Sequence, residues 1–144
     1  MNYYLDTSAF VKFFYLEENS DKITKLILDN SNEIYISDLV ITEFYSAIYR
    51  RFRMGQISES NLSKLKKLFE EEVNNFNIEN INSEILKGAK EIIFQVGDEF
   101  GIRTLDAIHL SCYKFISSSD WFFVSSDKPL INIAKKLNIK ILEI

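Results

Sequence analysis

The stretch Asn2-Tyr3-Tyr4-Leu5-Asp6-Thr7-Ser8-Ala9-Phe10-Val11-Lys12-Phe13-Phe14 decides the fold. Asn2–Leu5 is short and aromatic and stops at an acid, as a buried strand does. Asp6, Thr7 and Ser8 are helix-capping side chains, and Ala9, Phe10, Phe13 and Phe14 then repeat at helical spacing. The same grammar returns near the other end, where strand Trp121–Val124 meets the turn Ser125-Ser126-Asp127 and a helix over Pro129–Leu137. Between them, Ile34-Tyr35-Ile36 is a brief strand before the cap signal Ser37-Asp38. The helix that follows carries Ile41, Phe44, Tyr45, Ile48 and Phe52 on one stripe and ends near Gly55.

The remaining segments read as helices, apart from a last strand at Ile139–Leu142. Ser20 or Asp21 caps one bearing Ile23, Leu26 and Ile27. Ser58 opens another with Leu62, Leu65, Phe69, Val73 and Phe76 in step, and Ile78 and Ile81 fall in a short polar connection. Ser83 begins the next, ending at Gly97, and Thr104 caps a third with Leu105, Ile108, Cys112 and Phe115. Short apolar strands separated by helices indicate a parallel sheet covered on both faces. The expected fold is α/β, a doubly wound three-layer sandwich, with the helices of 56–97 as an appendage on one side. Ligands of such folds sit beyond the carboxyl ends of the strands, which directs attention to Asp6 and to Ser125–Asp127.

The chain's 144 residues suit a single domain over 1–144, and an apolar share of 47% excludes a disordered chain. No apolar run approaches the ~20 residues that span a bilayer, and the first residues lack the basic start and apolar core of a signal peptide. Cys112, the lone cysteine, allows neither an internal disulfide nor a cysteine-based zinc site. A reducing, cytoplasmic setting is expected. The net charge of −4 gives no global basic footprint for nucleic acid. It does not exclude a metal-dependent nuclease, which must itself collect carboxylates.

Four acids stand in suggestive places. Asp6 and Asp127 follow strands and should project at one edge of the sheet. Glu43 shares a helical row with Val40 and Ala47, and Asp106 one with Leu110 and Tyr113. Acids on half-buried rows are costly unless paired or metal-bound. A cluster of them calls for cations, and hard oxygen donors suit Mg²⁺ or Mn²⁺. Taken singly, Asp6 and Asp127 also read as helix caps, Asp106 as an acid favoured by a helix dipole, and Glu43 as a surface glutamate. Their joint placement favours a site.

Tyr4–Lys12, Ile41–Phe44, Arg103–Leu110 and Val124–Leu130 together resemble, in order and over the whole chain, the PIN domains. Within that family the likeness is greatest to the VapC-type ribonuclease toxins of prokaryotic toxin–antitoxin pairs. The resemblance implies an α/β/α sandwich with a mainly parallel sheet of about five strands. It also implies Mg²⁺- or Mn²⁺-dependent endoribonuclease activity on RNA, inhibition by a cognate antitoxin, and usually a homodimer. Carried over position by position, it makes Asp6, Glu43 and Asp106 the catalytic metal-binding core, with Asp127 as a fourth acid acting through water. Ser8, Ser125 and Ser126 match small polar positions that orient these carboxylates. Hydrolysis leaving 5′-phosphate and 3′-hydroxyl ends is the expected outcome.

Other readings stay beside this one: a solo PIN nuclease that processes RNA without an antitoxin, or a non-catalytic interaction module. A haloacid-dehalogenase-like phosphatase needs a second Asp where Ser8 stands. A receiver domain would explain Lys128-Pro129 but needs an acid pair after the first strand. His109, one turn after Asp106, reads first as structural. Arg50, Arg51 and Arg53 form the densest basic patch, either for phosphates or an antitoxin or as a solvated helix end. Phe10, Phe13 and Phe14 read as core or partner groove, and Cys112 as packing.

Overall fold

A computed structural model describes residues 1–144. The chain runs through β1 (Asn2–Leu5), α1 (Thr7–Phe14), α2 (Ser20–Leu28), β2 (Glu33–Ser37), α3 (Asp38–Arg53) and α4 (Glu59–Glu72). After a 3-10 turn at Val73–Asn75 come β3 (Asn77–Glu79), α5 (Ser83–Val96), α6 (Thr104–Ile116), β4 (Trp121–Ser125), α7 (Lys128–Lys136) and β5 (Ile141–Glu143). No helix is long and apolar enough to cross a membrane.

The sheet has five strands in the order β3-β2-β1-β4-β5, and every pair is parallel. From β1 the chain builds outward through β2 to β3, then crosses back to place β4 and β5 on the other side. Right-handed crossovers taken in opposite directions put helices on opposite faces. Side chains alternate along each strand, so the sheet feeds two cores. Leu5, Ile34, Ile36 and Val124 join Phe10, Phe14, Phe44, Leu62 and Phe69 on the face of α1–α4. Tyr4, Trp121 and Phe123 join Ile85, Ile92, Leu110 and Leu130 on the face of α5–α7. The first core is aromatic at its centre, with Phe44 and Phe69 stacked at 3.9 Å between centroids. Phe10 and Phe14 lie in it and Cys112 in the second, as their spacing suggests.

Two expectations require correction. Residues 77–79 form an edge strand paired with β2, where the sequence suggested only a polar connection. The 56–97 region is therefore no appendage: it supplies that strand, α4 packs Leu62 and Phe69 into one core, and α5 packs Ile85 and Ile92 into the other. Smaller shifts have local causes. The helical stripe expected to reach Phe76 ends at Glu72, where the backbone tightens into the 3-10 turn. The last strand begins at Ile141, after Asn138 adopts the left-handed conformation. Gly55 does close α3, at φ 74°, a value open to glycine without strain.

Candidate functional site

β1 and β4 are direct neighbours, with Leu5 opposite Val124. The backbone N–H of Asp6 continues the ladder to the Val124 carbonyl at 3.1 Å, so the turns after both strands emerge together. Asp6 caps α1, its Oδ1 accepting from Ala9 N–H at 2.9 Å and from the Ser8 hydroxyl at 2.8 Å. Its Oδ2 accepts from the Ser125 hydroxyl at 2.6 Å. Asp127 caps α7 in the same manner through Oδ1, which accepts from Leu130 N–H at 3.3 Å. The cap and site readings of these two acids are thus compatible, because one oxygen serves the helix and the other faces away from it. Ser8 Oγ accepts the Ser126 backbone N–H at 3.1 Å, and Ser125 Oγ accepts that of Asp127. Ser126 enters the network through its backbone, whereas Ser8 and Ser125 enter through their hydroxyls.

Glu43 lies on α3 and Asp106 on the first turn of α6, reaching this end of the sheet from opposite layers. Glu43 Oε1 accepts from Thr7 Oγ1 and from His109 Nε2, each at 2.6 Å. A carboxylate only accepts, so Nε2 carries a proton, and Nδ1 shares a hydrogen bond with the Tyr4 hydroxyl at 3.0 Å. His109 is buried, as a structural reading requires, and what it holds in place is one of the candidate acids. Asp106 instead faces Arg103: Nε donates to Oδ2 at 2.8 Å and Nη2 to Oδ1 at 3.3 Å. The same Nη2 donates to Asp127 Oδ2 at 2.8 Å. One guanidinium therefore ties α6 to the β4–α7 turn.

These surroundings set the acids apart. Burial pushes the Asp6 carboxyl above its ordinary pKa, against the field of His109 and the bonds from Ser125, Ala9 and Ser8. Burial pushes Glu43 upward as well, but the hydrogen bond and charge of His109, with Thr7 and Arg103 behind them, bring it below its ordinary value. The donor set is all hard oxygen, the chemistry that Mg²⁺ and Mn²⁺ take. In the present arrangement no three acids or histidine converge closely enough to enclose an ion. Glu43 is turned toward His109 and Thr7, and Arg103 stands between Asp106 and Asp127. The residues suit a divalent ion in kind, with a protein cation already at two of the four.

Sequence reasoning singled out the four acids and the serines but gave no part in the site to Arg103, and read Thr7 only as a helix-capping side chain. Arg103 three residues before Asp106 at a helix start was an available signal for the first pairing. Of the α3 arginines, Arg51 pairs with Glu17 at 3.2 Å and lies over the Tyr15 ring.

The fold is similar to that of VapBC2 from Rickettsia felis, a structure bound to a DNA fragment from their promoter. That likeness has a TM-score of 0.67 at 19% identity and covers 100% of this chain and 99% of that one. FitAcB from Neisseria gonorrhoeae is similar at a TM-score of 0.73 and 12% identity, over 98% and 96% of the two chains. VapC20 from Mycobacterium tuberculosis, a Sarcin-Ricin loop cleaving toxin, is similar at 0.67 and 14% identity, over 90% and 93%. No curated protein matches the chain. The likeness to solved structures is one of fold, and the family follows from the sequence itself: residues 3–136 match the PIN domain model, so the chain belongs to the PIN domain family.

Proposed function

We propose that the chain is a metal-dependent endoribonuclease, the toxin of a type II toxin–antitoxin pair. The observation that carries this reading is the delivery of Asp6, Glu43, Asp106 and Asp127 to one end of the sheet in a PIN-domain chain, where Ser125 links Asp6 to Asp127, Arg103 links Asp127 to Asp106, and Thr7 and His109 hold Glu43. The similar folds in VapBC and FitAcB complexes and in a toxin that cleaves the sarcin–ricin loop favour RNA as substrate and an antitoxin as partner. A homodimer working in the cytoplasm completes the proposal.

Asp6, Glu43, Asp106 and Asp127 would hold the ion. Mg²⁺ or Mn²⁺ bound there supplies an acidified water and neutralises phosphate charge. The chain's own contribution is orientation. Ser8 and Ser125 fix both oxygens of Asp6, and Thr7 and His109 fix Glu43, so neither carboxylate has to be ordered when substrate arrives. The side chain of Asp127 is held by its cap to α7 and is 23% exposed, open to water at the mouth of the site.

One observation favours a non-catalytic module of the same fold: Arg103 already neutralises two of the acids. Asp6→Asn decides between the two. The substitution keeps a capping oxygen and should abolish RNA cleavage without loss of folded structure by circular dichroism. Undiminished turnover by the folded variant overturns the nuclease reading at this site.

A further inference from the structure

Arg103 sits at the residue before α6, and its side chain is 69% exposed. It donates to the carboxylates of Asp106 and Asp127 and engages both oxygens of the former. Asp127 Oδ1 is committed to the α7 cap, so Oδ2, the oxygen free for any ligand, is the one Arg103 occupies. An ion drawing on Asp106 and Asp127 needs the same oxygens. Guanidinium and ion therefore compete for these atoms, and their like charges repel.

What the guanidinium meets once freed also follows from the geometry. It stays tethered at the start of α6, beside carboxylates and at the mouth of the site. Lys12 of α1 and Arg51 of α3 are engaged with Glu17 beyond the far end of α1, which leaves Arg103 and the exposed Lys128 beside Asp127 as the cations at this end of the sheet. A planar fork of N–H donors matches the paired nonbridging oxygens of a phosphodiester as it matches a carboxylate.

We propose that Arg103 is the displaceable counter-ion of this site: divalent-ion loading expels it from Asp106 and Asp127, and the freed guanidinium binds a phosphate of the RNA. The proposal rests on the metal-dependent reading above. Exposed ion pairs are weak, so the exchange is within reach of an arriving divalent ion.

The test compares wild type with Arg103→Gln and Arg103→Lys, none of which disturbs a buried group. Mn²⁺ affinity is read from the electron paramagnetic resonance signal of free Mn²⁺. Affinity of the Mn²⁺-loaded proteins for a fluorescent random-sequence single-stranded RNA is read by anisotropy within seconds of mixing, over a range of salt. Arg103→Gln should bind Mn²⁺ about tenfold more tightly, since a competing charge has gone. It should bind RNA about tenfold more weakly, with a salt slope shallower by about 0.7, the mark of one lost phosphate contact. Arg103→Lys should keep the slope and lose part of the RNA affinity, having charge without the fork. Equal Mn²⁺ affinity in wild type and Arg103→Gln overturns the proposal and leaves the nuclease reading standing, as does an unchanged RNA salt slope. Absence of Mn²⁺ binding by every protein overturns both.

Discussion

Asp6 is buried and Glu43 half-buried, and although burial pushes both carboxyls upward their pKa values move in opposite directions, which makes opposite demands on pH. The raised pKa of Asp6 means that the folded protein holds this proton more tightly than the unfolded chain does. Its contribution is therefore fully present below the ordinary carboxylate range and lost as pH rises through the raised native value. Asp6→Asn should melt above wild type at neutral pH, with the gain shrinking to nothing in acid; a variant that melts lower at neutral pH contradicts this. Glu43, with a lowered pKa, contributes stability above the ordinary range that is lost as pH falls through its native value. His109 supplies much of that. His109→Leu strips Glu43 of its Nε2–H donor and leaves the Tyr4 hydroxyl without Nδ1, at a cost of about 2–3 kcal/mol in urea unfolding. Tyr4→Phe should cost less in the His109→Leu background than alone, because the bond it removes is already gone; strict additivity speaks against the shared network. The four acids were legible because capping spacing and apolar rows are local properties of a sequence. Thr7 and Arg103 were not: their partners Glu43 and Asp127 lie 36 and 24 residues away, and only folding brings them together.

Helix pairs and strands were legible in proportion to their periodicity. α1, α3, α5 and α6 carry long apolar stripes, and all appear close to where the stripes lie. β3 does not. Asn77-Ile78-Glu79 offers one apolar residue in three, and what makes it a strand is the row of open hydrogen-bonding groups on β2 beside it. Missing that strand is what turned residues 56–97 into an appendage, since the segment then reads as helices with no strand among them. The α5–α6 pair has a feature that helix propensity alone misjudges. Gly88 lies mid-helix, where Ala would ordinarily be favoured by about 1 kcal/mol. A Cβ there would fall 2.3 Å from Ser111 Oγ, whose hydroxyl donates to the Ile85 carbonyl at 2.6 Å in a buried setting. Gly88→Ala must therefore rotate Ser111 out of that bond or part the helices, and should destabilise by about 1–3 kcal/mol. Ser111→Ala removes the obstructing oxygen, so Gly88→Ala/Ser111→Ala should recover most of the loss. Chemical unfolding of the four proteins gives the coupling, and a harmless Gly88→Ala would show the packing to be looser than this.

At the scale of the molecule, the reversal of strand order around β1 is what brings the four candidate acids to one end of the sheet. α1–α4 cover one face because the chain first builds toward β3, and α5–α7 cover the other because it then builds toward β5. Glu43 comes from the first layer, Asp106 from the second, and Asp6 and Asp127 from the turns at the ends of neighbouring strands. An ion held by all four would cross-link both layers to the central strands, so its binding free energy should appear as stability of the whole fold. At a hundred times its dissociation constant, such a ligand stabilises by about 2.7 kcal/mol. For a chain of this size that corresponds to a Tm rise of roughly 8–10 °C. Mn²⁺ should produce this shift in wild type, and Asp6→Asn and Asp106→Asn should each reduce it sharply, although Asp6→Asn starts from a higher Tm in metal-free buffer at neutral pH. The two signs together are diagnostic: relief of a buried charge raises the baseline, and loss of a ligand flattens the response. A Mn²⁺ shift of equal size in all three proteins would place the ion elsewhere on a surface whose net charge is −4. In that case the acids serve as caps and ion-pair partners, and the interaction-module reading gains the ground that the nuclease loses.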